Sequence, residues 1–168
     1  MSWRVSLYAM MLAAAGLPLY IHLPRYATTE LGLSLGTLGL ILALIRVMDF
    51  AQDPALGWLV DRYPAQKPLM AALAALGMGL GFLMLFTLPP LGGVVVWLVA
   101  ALVLVFTAYS LGSVLFYGQS AALAGGTGGL VSLAGWREGG SLLGILLAAT
   151  APTALVALGA TKGGYGAF

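Results

Sequence analysis

The stretch Arg46-Val-Met-Asp49-Phe-Ala-Gln-Asp53-Pro54-Ala-Leu-Gly57-Trp-Leu-Val-Asp61-Arg62 decides the fold. It continues an uncharged run from Leu35 to Ile45, so Arg46, Asp49 and Asp53 fall inside an apolar segment long enough to cross a bilayer. Charges at membrane depth are costly to keep, and where they occur they mark ion or substrate paths.

The rest of the chain agrees with a membrane reading. Of 168 residues, 61% are hydrophobic and only 7% charged, with mean hydropathy +1.04; a soluble domain carries about 25% charged residues. From Pro68 to Trp136 no Asp, Glu, Lys or Arg occurs in 69 consecutive residues, room for two or three spans of roughly 20 residues each. That run is far too long for the core of a signal peptide. Backbone in lipid must satisfy its own hydrogen bonds, which leaves helices or closed barrels. The apolar segments are continuous rather than alternating, so the fold class is all-α: a polytopic membrane helix bundle. Spans are expected at about 5–24, 35–60, 68–88, 94–119 and 139–160. Pro18 and Pro24 fall in or at the end of the first, Pro89-Pro90-Leu-Gly-Gly forms a turn after the third, and the Gly-rich stretch 124–135 reads as a flexible connection.

Net charge +2 and pI near 9.1 rest on seven basic and five acidic residues, too few and too scattered for a nucleic-acid surface. With five spans and the N-terminus inside, Arg4, Arg62, Lys67 and Arg137 lie on the cytoplasmic side and Arg25 and Lys162 outside, which the positive-inside rule favours. No cysteine is present, so disulfide and thiolate chemistry are excluded, and the single histidine, His22, argues against a protein-built zinc or haem site.

At 100° per residue Arg46, Asp49 and Asp53 share one helix face within about 60°. Two carboxylates one turn apart can hold a hard cation through oxygen, or share a proton so that loading follows pH. Pro54 cannot donate to the Phe50 carbonyl, which frees that oxygen as a further ligand or kinks the helix. The competing reading is a structural Arg46–Asp49 ion pair with Asp53 protonated. Gly57-x-x-x-Asp61-Arg62-x-x-x-x-Lys67 is a separate feature: Gly57 permits close helix approach, and Asp61 can pair across the short loop to the next helix.

These residues carry a resemblance. The Gly-x-x-x-Asp-Arg loop after a second span resembles the signature loop of the major facilitator superfamily. Arg46-x-x-Asp49-x-x-x-Asp53-Pro54-x-x-Gly57 is similar to the second helix of the glycoside–pentoside–hexuronide:cation symporters, the melibiose-permease-like family. Tyr109-Ser-Leu-Gly-Ser113-Val-Leu-Phe-Tyr117 and Trp136-Arg137-Glu138 extend the likeness over essentially the whole chain. The resemblance implies a coupling-ion site, for Na+ or H+, on Asp49 and Asp53 with Arg46 nearby. It implies an arginine that contacts sugar at Arg137, with Glu138 the alternative one residue on. Two of the family's sugar-site carboxylates are missing: Ser113 stands in place of the one on the fourth helix, and an apolar residue near Ala13 in place of the one on the first. The implied location is the bacterial cytoplasmic (inner) membrane, and the implied solute is sugar-like or another small polar molecule.

Tyr109, Ser113 and Tyr117 are further candidates for the substrate cavity, with Gln119, because aromatic, hydroxyl and amide groups orient small polar ligands. Tyr20 and His22 are weaker candidates, since such residues also anchor helices at the membrane interface. Gly77-x-Gly79-x-Gly81 and Gly140-x-x-x-Gly144 are expected to mark close helix packing. No nucleophile–base pair, phosphate-loop or metal-ligand cluster occurs, so the chain reads as no enzyme and needs no cofactor beyond a coupling ion.

Transporters of this superfamily pair two six-helix halves. This chain is expected to be the N-terminal bundle without its sixth helix or second bundle, that is, a truncated product, a fragment or half of a split gene, with the missing C-terminal half or a second chain as partner. Gly163 to Phe168 resembles the outer loop leading to that sixth helix. Three functions fit: a cation- or proton-coupled symporter, a proton-coupled effluxer or facilitator of the same fold, and a non-transporting subunit whose intramembrane charges hold a partner.

Overall fold

The computed structural model describes residues 2–123 and 127–158. They form five long helices: α1 (Ser2–Thr29), α2 (Leu35–Arg62), α3 (Lys67–Phe86), α4 (Val94–Leu123) and α5 (Thr127–Ala157), with a 3-10 turn at Pro64–Gln66 before α3. All five are long and apolar enough to cross a membrane, and the described residues contain no strand. The chain is therefore an all-helical integral membrane bundle. Lys162 and the stretch Gly163 to Phe168 lie outside the described residues.

Local chemistry sets the boundaries. Ser34 caps α2, its hydroxyl accepting from the Thr37 amide at 3.0 Å, which satisfies one of the first-turn donors a helix leaves open. Gly32 and Gly92 adopt positive φ (65° and 87°) in the turns after α1 and α3, a backbone region that side chains disfavour. The α3–α4 turn contains Pro89 and Pro90, as expected. The Gly-rich stretch is different. From Thr127 onward it is helix rather than flexible connection, and α5 starts well before residue 139. Glycine costs helix stability, yet the helix runs through Gly128, Gly129 and Gly135.

That correction relocates Arg137. It stands ten residues (137 − 127) inside α5 instead of at a loop, about 15 Å along the axis at 1.5 Å per residue. Gly140 lies on Ser6 and Gly144 on Met10, so α5 runs parallel to α1 and Arg137, three residues before Gly140, stays level with the start of α1 beside Arg4.

Lipid offers no hydrophobic drive between helices, so packing relies on small residues and interhelical hydrogen bonds. α1 runs along α5, α3 along α4, and α2 against α4. At the α1–α5 seam, Gly140 and Gly144 lie against the backbone carbonyls of Ser6 and Met10, leaving no space for a Cβ. At the α3–α4 seam, Gly81 faces Val105 and Gly77, less tightly, the Ala108 methyl, both too near for an added Cβ. Gly79 departs from expectation: open space surrounds it, because it looks into a groove of about 580 Å³ between α1, α3 and α5. Trp97 Nε1 donates to the Met84 carbonyl at 2.9 Å, pinning α4 to α3. The largest apolar cluster joins Leu19 and Leu23 of α1, Leu38 and Ile45 of α2, Leu85 of α3 and Leu102 of α4. It lies toward the end of the bundle where α1 finishes and α2 begins, and the charged centre of α2 opens beneath it.

Candidate functional site

Among the described residues Asp49 is the buried charged one, with 7% of its surface exposed. It is satisfied from two sides. Arg46, one turn earlier on α2, donates from Nη1 to Oδ2 at 3.3 Å. Gln52, one turn later, donates from Nε2 to Oδ1 at 2.9 Å. Gln52 in turn accepts through Oε1 from the Thr107 hydroxyl of α4 at 3.0 Å. A four-residue chain, Arg46–Asp49–Gln52–Thr107, thus crosses from α2 to α4 with every polar atom it buries bonded. In a low-dielectric interior such completion decides whether a buried charge is tolerable.

Arg46 is held by more than the carboxylate. Its guanidinium carbon sits 5.1 Å from the Tyr20 ring centroid and 5.3 Å from that of Phe106. The two rings meet edge to face with centroids 6.5 Å apart. Both distances lie within the range where a cation is attracted to an aromatic face. α1, α2 and α4 each supply one member of this clamp.

Asp53 behaves otherwise. It shares the helix face with Asp49 by register, but it is exposed and makes no hydrogen bond or ion pair among the described residues. The neighbouring Phe50 is 85% exposed and Trp58 is exposed too, so no described element covers this side of α2.

Beside the charged chain lies a cavity of about 270 Å³ between α1, α4 and α5, lined by Tyr20, Tyr109, Tyr117, Phe116 and Ser141 among others. Gly16 makes room for the Tyr109 hydroxyl, since a Cβ there would come within 3.3 Å of it. Arg137 stacks its guanidinium over Tyr117 at 5.5 Å while bonding Glu138 through Nη2 at 2.8 Å. Of the sequence candidates, Tyr109, Tyr117 and Arg137 are therefore grouped. Ser113 stands one turn from both tyrosines on α4 and does not itself line the cavity. Tyr20, a weaker candidate by sequence, is the wall common to this cavity and the Arg46 clamp. His22 is a tie: its Nε2 donates to the Ala148 carbonyl at 3.1 Å, linking α1 to α5. A carbonyl can only accept, so the ring proton belongs on Nε2.

Gly57, Asp61 and Lys67 line a small cavity of about 140 Å³ at the other end of α2, together with Gln119. Open space surrounds the position of a Gly57 Cβ, so this glycine marks no close helix approach. Asp61 makes no ion pair across the loop among the described residues, and Arg62 is exposed.

Gln52, Thr107, Phe106 and Ser141 were not legible as site residues. Gln52 carried one signal, its place three residues after Asp49 on the same helix face. Thr107 carried another, as a hydroxyl in a strongly apolar span.

Five bilayer-length helices enclosing a bonded charge and an adjoining aromatic cavity define a membrane protein with a polar interior, the design of a solute carrier. A family model described as MFS/sugar transport protein matches residues 4–168, and the chain belongs to that family, a family of membrane transporters. No curated protein and no solved structure matches the chain.

Proposed function

We propose that the chain forms the N-terminal bundle of a melibiose-permease-like symporter, which couples uptake of a sugar-like or other small polar solute to Na+ or H+. It would sit in a bacterial cytoplasmic membrane with its N-terminus inside, and work with a second bundle. One observation supports this above the others: Tyr20 touches both the Arg46–Asp49 pair and the tyrosine-lined cavity. A change in the charge state of Asp49 would thereby be felt at the wall of the solute cavity.

In this reading Asp49 is the coupling carboxylate and Arg46 its resting counter-charge. A sodium ion or proton reaching Asp49 competes with the guanidinium, which then keeps its two aromatic partners. Gln52 orients Asp49, and Thr107 orients Gln52. Asp53 is the outer carboxylate, on the α2 face left open toward a second bundle. Tyr109, Tyr117, Ser113 and Arg137 contact solute by stacking and hydrogen bonding. Gly57, Asp61, Arg62 and Lys67 serve as the conformational loop.

The test is counterflow of labelled sugars in vesicles carrying the complete transporter, with an imposed sodium or pH gradient. Stimulation by one gradient supports coupling and identifies the ion. Exchange that neither gradient affects would leave a facilitator in its place. Removing the bond from Gln52 is a finer check. A hydrogen bond to a charged group contributes about 1.5–3 kcal/mol, and 1.4 kcal/mol is tenfold. Gln52→Leu is thus expected to lower the half-saturating concentration of the coupling ion about tenfold, because the lost donor had stabilised the ion-free carboxylate with which the ion competes. Thr107→Val, one bond further out, should lower it less.

A further inference from the structure

We propose that the cavity between the starts of α1 and α3 and the last third of α4 binds a phosphate-bearing anion, presented in the membrane as the headgroup of an anionic phospholipid. This cavity measures about 320 Å³ and is lined by Arg4, Tyr8, Lys67, Phe116 and Gln119, with Val5, Ala71 and Leu115 extending its apolar wall. It shares Phe116 with the tyrosine cavity and Lys67 with the conformational loop, but no residue of the Asp49 chain lines it and the transport reading assigns it no ligand.

Three features point to an anion. First, two cationic side chains from different helices face one space, and neither has a carboxylate partner: among the described residues the ion pairs are Arg46–Asp49 and Arg137–Glu138. Arg4 has only the ring of its neighbour Trp3, at 5.6 Å. Lys67 also borders the smaller cavity that contains Asp61, yet the two are not within ion-pair distance. Two like charges across a cavity repel, and a phosphate between them replaces that repulsion with charge-assisted hydrogen bonds. Second, α3 begins at Lys67 without a side-chain cap; its first amide bonds the Pro64 carbonyl of the preceding 3-10 turn, so the helix end contributes through its dipole at this region rather than through a free first-turn amide. Third, Gln119 adds an amide donor, whereas the Tyr8 hydroxyl is already committed to the Gly112 carbonyl at 3.2 Å. Tyr8 therefore presents its ring, stacked on Phe116 with centroids 5.1 Å apart.

The division of the cavity favours a lipid. Its cations come from the first turns of two spanning helices, at headgroup depth, while Val5, Ala71, Leu115 and the paired rings lie farther along the helices, where an acyl chain would run. Basic pockets between spanning helices are a recurrent means of holding anionic headgroups.

The experiment is native mass spectrometry of the protein released from nanodiscs containing equal phosphatidylglycerol and phosphatidylcholine, comparing the lipid retained. The unmodified protein is expected to keep phosphatidylglycerol in preference. The double variant Arg4→Gln/Lys67→Gln should lose about tenfold of that preference. Arg4→Lys/Lys67→Arg, which preserves both charges, should keep it and reports that the bundle tolerates substitution there. Arg62→Gln removes a cation from the same end of the bundle but outside the cavity, and should have no effect. Equal retention in the double variant and the unmodified protein would overturn the site, as would an equal loss in Arg62→Gln, which would signify general surface charge. Inorganic phosphate at millimolar concentration is the second arm. Failure to displace the lipid supports the headgroup as ligand; displacement with 1:1 phosphate binding that the double variant loses would overturn the lipid and leave free phosphate as the ligand of the same cations.

Discussion

Asp49→Asn is expected to abolish gradient-driven accumulation of solute while leaving a normal amount of protein in the membrane. The substitution keeps the shape of the side chain, so Gln52 retains an oxygen to donate to, but Arg46 loses its counter-charge. Arg46 keeps 52% of its side chain exposed, so stranding it costs less than the about 3–5 kcal/mol of a fully buried pair, and loss of the carboxylate that receives the ion is what abolishes accumulation. The two roles of Asp49 separate in the readout. If the carboxylate only balances Arg46, the double change Arg46→Gln/Asp49→Asn should restore accumulation, because no unpaired charge is left. If Asp49 receives the coupling ion, the double variant stays uncoupled although it is well folded. Asp53→Asn is expected to cost less than Asp49→Asn, since Asp53 is exposed and unpartnered. Equal losses would show that the two carboxylates act as one unit in spite of their different burial.

Gly144→Leu is expected to have the largest effect on stability. Its Cβ would meet the Met10 carbonyl and the Ala14 amide of α1, and backbone cannot rotate aside as a side chain can. Overpacking costs about 1–3 kcal/mol where side chains can adjust, and this obstacle lies at or beyond the upper end. With folded proteins stable by only about 5–15 kcal/mol, the monodisperse fraction on gel filtration in mild detergent should fall several-fold. Gly140→Leu should act in the same way through Ser6. Gly139→Leu is the control, because open space surrounds that position; if it were as harmful as Gly144→Leu, helix propensity rather than the α1–α5 seam would be responsible.

The helices were legible because the apolar runs around Asp49 and through α3 and α4 exceed any soluble core element. Glycine misled at the start of α5: read by propensity it is flexible, whereas the helix runs unbroken from Thr127 and carries Arg137 within it. Within the charged centre, Arg46 and Asp49 stood out as rare residues at depth, and their pairing one turn apart follows from helix geometry. Asp53 lies on the same face by that geometry, and its exposure depends on which helices cover α2, which no single-helix argument contains. The Gln52–Thr107 bond joins residues 55 positions apart on different helices, and Tyr20 reaches Arg46 only because α1 crosses beside α2. Such contacts belong to packing rather than to local pattern.

The Arg46 clamp has a consequence for the order in which the protein is built. α2 emerges from the ribosome with three charged residues in its span, each costing about 2.5–3.5 kcal/mol at the bilayer centre when unpartnered. Tyr20 is already synthesised at that point, but Phe106 and Thr107 are not. At 5–20 residues per second, the 55 residues between Gln52 and Thr107 take roughly 3–11 s. During that interval α2 has one side of its clamp and Asp49 lacks the bond that fixes Gln52. Until α4 arrives, Asp49 relies on the bonds that α2 itself supplies from Arg46 and Gln52, and the charged centre closes only when Phe106 and Thr107 join it.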